Sequence, residues 1–315
     1  MRGIALFALA VLLGACVDTG DDPSNVKDLR ILGVRTDPPE IMANHCDVGA
    51  LVSAANDAGT VDTSIFTLLN DVTFTALIAD PKGMGRDIDY EIIVCPDADD
   101  TNCTKDPAHT KVLDRGKTQD GELSVTVKPG AVLFSDGPLL LFTVRQDQYH
   151  GVGGIRQPVV VHLKAGTEEI FASKLMVFSC KFFPTMKANV NPILPGIKVA
   201  GTEWTEDETV VLSGQEKISF TADDFTSLQE DYVVPTFELK PLQLTEAWEV
   251  SWYGEAGRFS PTSTGGVGFD GVVERQQVQW QAFTKDTEAD VRFWFVVRDG
   301  RGGLTWLKRK AHFKP

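Results

Sequence analysis

Short runs in which apolar and polar residues alternate fill most of the chain, and no long segment has a helical period. The clearest run covers residues 291–297, and in another run Val278, Trp280 and Ala282 alternate with glutamines. Successive side chains of a β-strand point to opposite faces, so a period of two predicts strands with one buried face. Turn signals separate the runs, as at Asp299-Gly300, where glycine tolerates a positive φ. The pattern predicts an all-β fold.

A proline-rich segment divides the predicted strands into two groups. Pro184, Pro192 and Pro195 lie within it, and proline interrupts regular strand pairing. The chain of 315 residues is long enough for two domains. Several short strands at regular spacing, found twice, are typical of two tandem β-sandwiches. We therefore expect a first sandwich over residues 28–182 and a second over residues 183–315.

The two groups of strands share a layout. Residues 88–94 correspond to residues 248–253, and residues 139–147 correspond to residues 291–299. In the second correspondence an apolar strand reaches a valine, an arginine and an aspartate, and a glycine-rich turn follows. We interpret the two domains as variants of one structural unit.

The second group carries two motifs of a known fold. Val250-Ser251-Trp252-Tyr253-Gly254 resembles the strand that holds the buried tryptophan in bacterial immunoglobulin-like domains of the PKD-like kind. Residues 296–303 resemble the turn after the penultimate strand of the same domains. The resemblance implies an immunoglobulin-like sandwich for about one hundred residues, and motifs of this structural kind imply no particular function. The first domain departs from the pattern, since it has no tryptophan and carries its own cysteines.

The amino terminus is typical of an export signal. Arg2 precedes an apolar run over residues 4–13, which is too short to cross a bilayer of ~30 Å as a helix. Leu13-Gly14-Ala15-Cys16 then resembles the lipobox of bacterial lipoproteins. The resemblance implies that residues 1–15 are removed and that Cys16 is lipidated. The alternative is an ordinary secretory peptide with an incidental cysteine.

The segment after Cys16 predicts how and where the protein is held. Residues 16–27 are polar and poor in apolar residues, so we expect a flexible tether. Val17, in place of an aspartate, implies sorting to the outer membrane by resemblance to enterobacterial lipoproteins. No later run reaches eighteen apolar residues, so no transmembrane helix is expected. The formal charge of −14 argues against nucleic acid as a partner.

The remaining cysteines are even in number, as expected in an oxidising compartment. Cys95 and Cys103 bracket a short acidic turn, and we predict that they form one disulfide. Cys46 and Cys180 would then form a second one. Zinc is the rival interpretation, but no CxxC pair or cluster of histidines accompanies these cysteines.

The turn between Cys95 and Cys103 is also a candidate calcium site. Asp97, Asp99, Asp100 and Asn102 have the spacing of oxygen ligands, although the glycine and closing glutamate of an EF-hand are missing. Solvated carboxylates in a closed turn are the alternative.

Aromatic and basic residues of the second domain are the candidate binding residues. All six tryptophans lie in it, namely Trp204, Trp248, Trp252, Trp280, Trp294 and Trp306. A sandwich core commonly uses one or two, and packing inside the domain is the interpretation we favour for the others as well. The alternative is an aromatic surface strip that binds a sugar or a protein side chain, with Trp294, on the face opposite Phe293 and Phe295, and Trp306 as its candidates. Arg298 and Arg301 make the last hairpin basic. This hairpin is either a solvated edge or a dock for an acidic partner or polysaccharide.

No catalytic arrangement stands out in the sequence. The five histidines (His45, His109, His150, His162 and His312) are scattered, and neither HExxH nor GxSxG occurs. Residues 266–271 spell GxGxxG, but a strand-like segment follows them where a dinucleotide site needs a helix.

The function that these features favour is recognition without catalysis. We expect a lipid-anchored outer-membrane protein that binds an envelope or surface protein through immunoglobulin-like domains and needs no cofactor. A glycan-binding module that uses exposed tryptophans is the alternative. An envelope hydrolase is a third hypothesis, which would need paired carboxylates in a cleft.

Overall fold

The first half of the chain forms a two-sheet sandwich. The structure, a computed structural model, describes residues 22–44, 71–128, 153–213, 216–266, 276–283 and 286–315. Eight strands belong to the first sandwich: β1 (Arg30–Asp37), β2 (Glu40–Ala43), β3 (Val72–Ala79), β4 (Ile88–Val94), β5 (Lys111–Thr118), β6 (Glu122–Val127), β7 (Ile155–Ala165) and β8 (Glu168–Cys180). They form a three-stranded sheet, β1-β3-β6, and a five-stranded sheet, β2-β8-β7-β4-β5.

The second half forms another sandwich and an additional hairpin. Its strands are β9 (Ile197–Val199), β10 (Thr202–Glu203), β11 (Thr209–Ser213), β12 (Ile218–Ala222), β13 (Asp231–Pro235), β14 (Pro241–Thr245), β15 (Glu249–Gly254), β16 (Arg258–Ser260), β17 (Ser263–Gly265), β18 (Gln277–Gln281), β19 (Ala289–Arg298) and β20 (Leu304–Lys314). The two sheets are β10-β9-β12-β18-β16 and β11-β20-β19-β15-β17, and β13 and β14 form a separate two-stranded sheet. The predicted all-β fold with two sandwiches is confirmed.

The larger sheet of the first sandwich and the β20-containing sheet of the second have the same arrangement. In each, a short edge strand runs parallel to the last strand of the domain, and the other pairings are antiparallel. β4 and β15 occupy the same position, as the correspondence of residues 88–94 with 248–253 predicts. The counterpart of β19 is β7, so the expected correspondence with residues 139–147 is wrong. Those residues lie outside the described part of the chain.

Aromatic rings fill the core of the second sandwich. Trp204, Trp252 and Trp280 have no accessible surface, and they pack edge-on against phenylalanines of β12 and β19. Each indole N–H has a partner, as in the 2.9 Å bond from Trp252 Nε1 to Thr264 Oγ1. A buried tryptophan is favourable only when its N–H is satisfied, so these bonds explain how one core holds three indoles.

The two sandwiches pack side by side through an apolar contact. The outward face of β1 and β3 meets the outward face of β19 and β20. The buried residues of this contact are Val26, Leu32, Leu77, Ala79, Trp294, Val296, Leu304 and Trp306. The alternation in residues 72–78 predicts a half-buried strand, but β3 is buried on both faces because its second face covers the other domain.

The end of the expected tether is part of the fold. Val26 is fully buried, and its N–H donates to Gly254 O at 2.8 Å. Ser24 Oγ accepts from Phe259 N at 2.9 Å, and Asn25 Nδ2 donates to Gly257 O at 2.8 Å. The expectation of a flexible segment is therefore wrong for residues 22–27, because these backbone and side-chain hydrogen bonds attach them to β15, β16 and the turn between them. Cys16 and the leader lie outside the described residues.

Across the described ranges, no helix combines the length and the apolar character that crossing a bilayer requires.

Candidate functional site

The tryptophans are buried and do not form a surface strip. Trp294 is only 3% exposed and Trp306 only 9%. Trp294 does lie on the face opposite Phe293 and Phe295, but the first sandwich covers that face. Trp306 Nε1 donates to Glu122 Oε1 at 2.8 Å, and the Arg35 guanidinium lies 4.8 Å from its ring centroid. The favoured interpretation of the tryptophans as packed residues is confirmed, and the glycan hypothesis loses the surface strip on which it depended.

The two candidate arginines serve the contact between the sandwiches. Arg298 donates to Ser251 Oγ at 2.9 Å and to Leu32 O at 3.1 Å. Arg301, with a side chain only 10% exposed, lies 3.4 Å from Glu40 Oε2 and 3.2 Å from Glu246 Oε1. Glu40 belongs to the first sandwich, so Arg301 forms an ionic link across the junction. These arginines are structural partners of buried groups and do not form a solvated edge.

Asp299 and Lys174 extend this polar junction. Asp299 Oδ1 accepts from the backbone N–H groups of Arg301 and Gly302, and Asp299 Oδ2 accepts from Asn189 Nδ2 at 2.7 Å. Lys174, on β8 of the first sandwich, donates from its Nζ to Gly302 O. Burial lowers the pKa of Lys174 to about 8, while the Asp299 carboxylate acts in the opposite direction. The turn after β19 is therefore fixed by Lys174 of the first sandwich and by Asn189 of the proline-rich segment between the sandwiches.

The acidic turn is closed by internal bonds and does not form a cation site. Asp97 accepts from Asp99 N at 2.8 Å and from Lys105 Nζ at 3.0 Å, and these bonds lower the pKa of its carboxyl. Asp100 is buried and accepts from Lys105 N at 2.7 Å, while Asn102 Oδ1 accepts from Thr104 Oγ1 at 2.9 Å. Within the described ranges no group of three or more His, Cys, Asp or Glu converges to hold a metal. The calcium hypothesis is not supported by this geometry.

The disulfide across this turn is confirmed. Cys95 and Cys103 are bonded, with their Cα atoms 5.5 Å apart, and both are buried. Cys180 is also disulfide-bonded. Its predicted partner, Cys46, lies outside the described residues, so the second pairing stays a prediction.

One surface groove contains carboxylates that already have partners. It has a volume of about 670 Å³ and lies beside β19 and β20. Glu255 pairs with Arg292 at 2.6 Å, and Asp286 Oδ2 accepts from Gly257 N and Phe283 N. Asp290 holds His312, whose pKa is raised by hydrogen bonds to Asp290 and Glu288. The described carboxylates of this groove are therefore engaged by basic side chains and backbone N–H groups.

A group of exposed apolar residues lies on β13, β14 and their turn, residues 231–245, which we call the arm. The largest exposures there belong to Phe237 (71%), Leu239 (54%), Leu242 (45%) and Leu244 (37%). Leu242 faces Val234 across the hairpin, and Leu244 faces Tyr232. Directly opposite residues share a face, so the side chains of Leu242, Leu244, Val234 and Tyr232 lie on one face of the hairpin. All five residues of β14 are exposed. The arm therefore presents an apolar stripe to solvent.

The base of the arm is fixed to the domain junction. The Arg301 guanidinium lies 4.2 Å from the centroid of the Tyr232 ring, and burial raises the pKa of Tyr232. Glu246, at the end of β14, accepts from Trp248 Nε1 at 2.8 Å and from Glu230 N at 3.1 Å. Because Glu246 also pairs with Arg301, the arm shares an anchor with both sandwiches. The orientation of the arm is therefore fixed relative to the two sandwiches.

The arm is an insertion into the shared topology. It lies within the connection between β12 and β15, residues 223–248, whereas the first sandwich connects β3 to β4 through residues 80–87 alone. Sequence reasoning missed it, although Val233 and Val234 before Pro235 and the alternation of Leu242 and Leu244 after Pro241 are strand signals. Pro235 and Pro241 argue against strands because proline interrupts strand pairing, so these two short strands were not predicted.

Comparisons with known proteins complete the description. No protein-family model matches the sequence. No curated protein sequence matches it either. Among solved structures the chain is similar to Escherichia coli alpha-2-macroglobulin activated by porcine elastase, at 10% identity and a TM-score of 0.27, over 93% of this chain and 22% of that one. It is similar to the chicken CNTN1 FN1-FN3 domains at 9% identity and a TM-score of 0.23, over 78% of this chain and 63% of that one. It is also similar to the two tandem V-type regions of VCBP3 at 13% identity and a TM-score of 0.25, over 91% of this chain and all of that one. The chain thus spans less than two thirds of the length of the first two structures.

The fold and the arm define a class, a protein of two packed immunoglobulin-like sandwiches with a projecting hairpin.

Proposed function

We propose that this protein is a lipid-anchored, non-catalytic protein of the bacterial outer membrane that recognises another envelope protein through its arm. The observation that carries the proposal is the exposed stripe of Leu242 and Leu244 on a hairpin with a fixed base. Clustered exposed apolar side chains on a folded protein are typical of sites that bind other proteins.

The energetics favour a protein partner for this stripe. Fully burying one leucine side chain contributes about 1.5–3 kcal/mol, so two leucines and the tip residues supply a useful share of a binding free energy. The arm is held by Glu246, Arg301 and Trp248, which lowers the ordering cost of binding. A glycan would instead need exposed aromatic faces, and the indoles of the six tryptophans are buried.

The anchor acts together with the arm in this proposal. A lipid on Cys16 would confine the protein to a surface, where its effective concentration for a neighbouring membrane protein is high. The connection from the lipid would reach the folded protein at residues 22–27, which contact β15. β15 belongs to the same sandwich from which the arm projects. Residues 16–21 would then be the short linker between the lipid and the folded domains.

The test of recognition compares variants of the arm with a matched surface control. Envelope extract is passed over immobilised wild type, the Leu242→Ser/Leu244→Ser variant and Met84→Ser, and retained proteins are identified by mass spectrometry. Met84 is 94% exposed on the first sandwich, so it controls for loss of an exposed apolar group. We expect one protein to be retained by wild type and Met84→Ser and lost with the arm variant. Equal retention by all three would refute recognition through the arm.

The anchor is tested separately. Mass spectrometry of the mature amino-terminal peptide from membranes should find Cys16 carrying a diacylglyceryl group. An unmodified Cys16 on a released protein would refute the anchor and leave the arm untouched.

A further inference from the structure

We infer that the outer edge of β14 accepts an extended segment of the partner as a third strand, with alternating apolar residues and basic residues at its ends. This inference rests on the proposed function and states how the arm would recognise its partner. β-Strand addition takes affinity from main-chain hydrogen bonds and specificity from alternate side chains.

The hydrogen bonds of the hairpin show which backbone groups face outward. Thr236 N donates to Lys240 O at 2.9 Å, and Glu246 N donates to Glu230 O at 3.0 Å. In an antiparallel pair the bonded positions recur at every second residue, so Leu242 and Leu244 turn their backbone groups toward β13. Gln243 and Thr245 therefore turn their N–H and C=O groups away from β13, toward the exposed side of β14.

β14 lacks the usual protection of an edge strand. Its residues Pro241, Leu242, Gln243, Leu244 and Thr245 carry no charge, and its only proline lies at the end next to the turn. Natural edge strands are commonly blocked by charged residues, by central prolines or by cover from another segment. In contrast, the edge strand β5 of the first sandwich carries Lys111, Asp114, Arg115 and Lys117. In the described part of the chain no strand pairs with the outer edge of β14.

The surroundings of β14 define the chemistry of the segment that fits. A strand laid beside β14 would place alternate side chains next to Leu242 and Leu244, so apolar residues at every second position are favoured. The carboxylates near the hairpin belong to Glu230, Asp231, Glu238 and Glu246. The cations among them are Lys240, which pairs with Glu238 at 2.6 Å, and Arg301, which pairs with Glu230 and Glu246, so the carboxylates outnumber the cations by two. This excess of carboxylates favours basic ends on the partner. It disfavours a second copy of this chain, whose formal charge is −14.

The experiment uses the purified protein and a synthetic probe. The probe is a fluorescent peptide of about nine residues with valine at alternate positions and lysine at both ends. Its control carries N-methyl groups on the alternate amides that would face β14. Binding is measured by fluorescence anisotropy at low salt and again at high salt.

Two variants at one position separate the backbone from the side chain. Gln243→Pro removes the outward N–H and places a ring on the open edge while leaving the bonds to β13 in place, since proline is tolerated at this kind of position. Gln243→Thr changes the side chain and keeps the N–H. We expect a loss of affinity of about tenfold or more for Gln243→Pro and for the N-methylated peptide, and a change within about twofold for Gln243→Thr. Circular dichroism and thermal unfolding confirm that both variants are folded.

Three results with the purified protein would overturn the inference, and a fourth test uses the envelope extract. One is equal binding of the probe by Gln243→Pro and wild type. Another is equal binding of the N-methylated and unmodified peptides. The third is a concentration-dependent dimer of the wild type that Gln243→Pro abolishes, which would make a second copy the occupant. Retention of the envelope protein by Gln243→Pro but not by Leu242→Ser/Leu244→Ser would reject strand addition and keep the proposed function, whereas retention by every variant would reject both.

Discussion

Replacing Arg301 with methionine tests whether the polar junction holds the two sandwiches and the arm together. Arg301 lies within 4.0 Å of carboxylate oxygens of Glu40, Glu230 and Glu246 and stacks on Tyr232. Methionine fills a similar volume and brings no charge, so the variant removes the cation and leaves the carboxylates. The Glu246 side chain is only 2% exposed, so it would keep a buried charge without its ionic partner.

The size of the effect follows from this burial. Breaking a buried ion pair by removing one partner costs about 3–5 kcal/mol, because the remaining charge is uncompensated. For a domain of this size that loss lowers the midpoint of thermal unfolding by roughly 10 °C. The pair Arg115 and Glu91, which is 4.0 Å apart and exposed, provides the control, and Arg115→Met should cost less than about 1 kcal/mol.

The assay is urea unfolding of four proteins, followed by intrinsic fluorescence. They are wild type, Arg301→Met, Glu246→Gln and the double variant. Glutamine at 246 still accepts from Trp248 Nε1 but removes the buried charge, so the double variant should recover about half or more of the lost stability. A loss below about 1 kcal/mol for Arg301→Met, or no recovery in the double variant, would refute the role of this junction.

Three further predictions concern other parts of the fold. Trp294→Ala should lower the free energy of unfolding by about 3–5 kcal/mol and increase the radius of gyration measured by small-angle X-ray scattering, because it empties the contact between sandwiches. Met84→Ala should change neither quantity, and an unchanged radius in Trp294→Ala would show that the contact does not depend on this indole. The pKa of Lys174 is lowered by burial to about 8, below its value in the unfolded chain, so the unfolded state binds more protons above that pH. Stability should therefore rise by about 1.5 kcal/mol from about pH 8 to about pH 9.5, and a Lys174→Met variant that keeps the same rise would contradict this assignment. Cys95→Ala/Cys103→Ala should cost about 2.5 kcal/mol in urea unfolding, since the bond closes a loop with a sequence separation of 8. A loss under about 1 kcal/mol would indicate that the loop is held by its other bonds.

Local sequence patterns predicted the strands of the core well. Residues 291–297 lie inside β19, and Trp252 is fully buried on β15 as the resemblance implies. The disulfide between Cys95 and Cys103 could also be predicted, because a bond across a short turn depends on nearby residues. Period, turn chemistry and short loop closure are local properties that one sequence contains in full.

Contacts between distant segments could not be predicted in the same way. The alternation that places Trp294 opposite Phe293 and Phe295 is equally compatible with a solvated face and with a face covered by another domain. The cover comes from Leu77 and Ala79, and nothing in either segment specifies that pairing. Arg301 appeared to belong to a basic edge for the same reason, since its partner Glu40 is 261 residues away.

The most direct test of recognition through the arm is site-specific photo-crosslinking in intact bacterial cells. A photoreactive amino acid is placed at Leu242 in one protein and at Met84 in another, both exposed positions on the surface. We expect one discrete adduct with an envelope protein from position 242 and none from position 84. No adduct from position 242, or the same adduct from both positions, would contradict it.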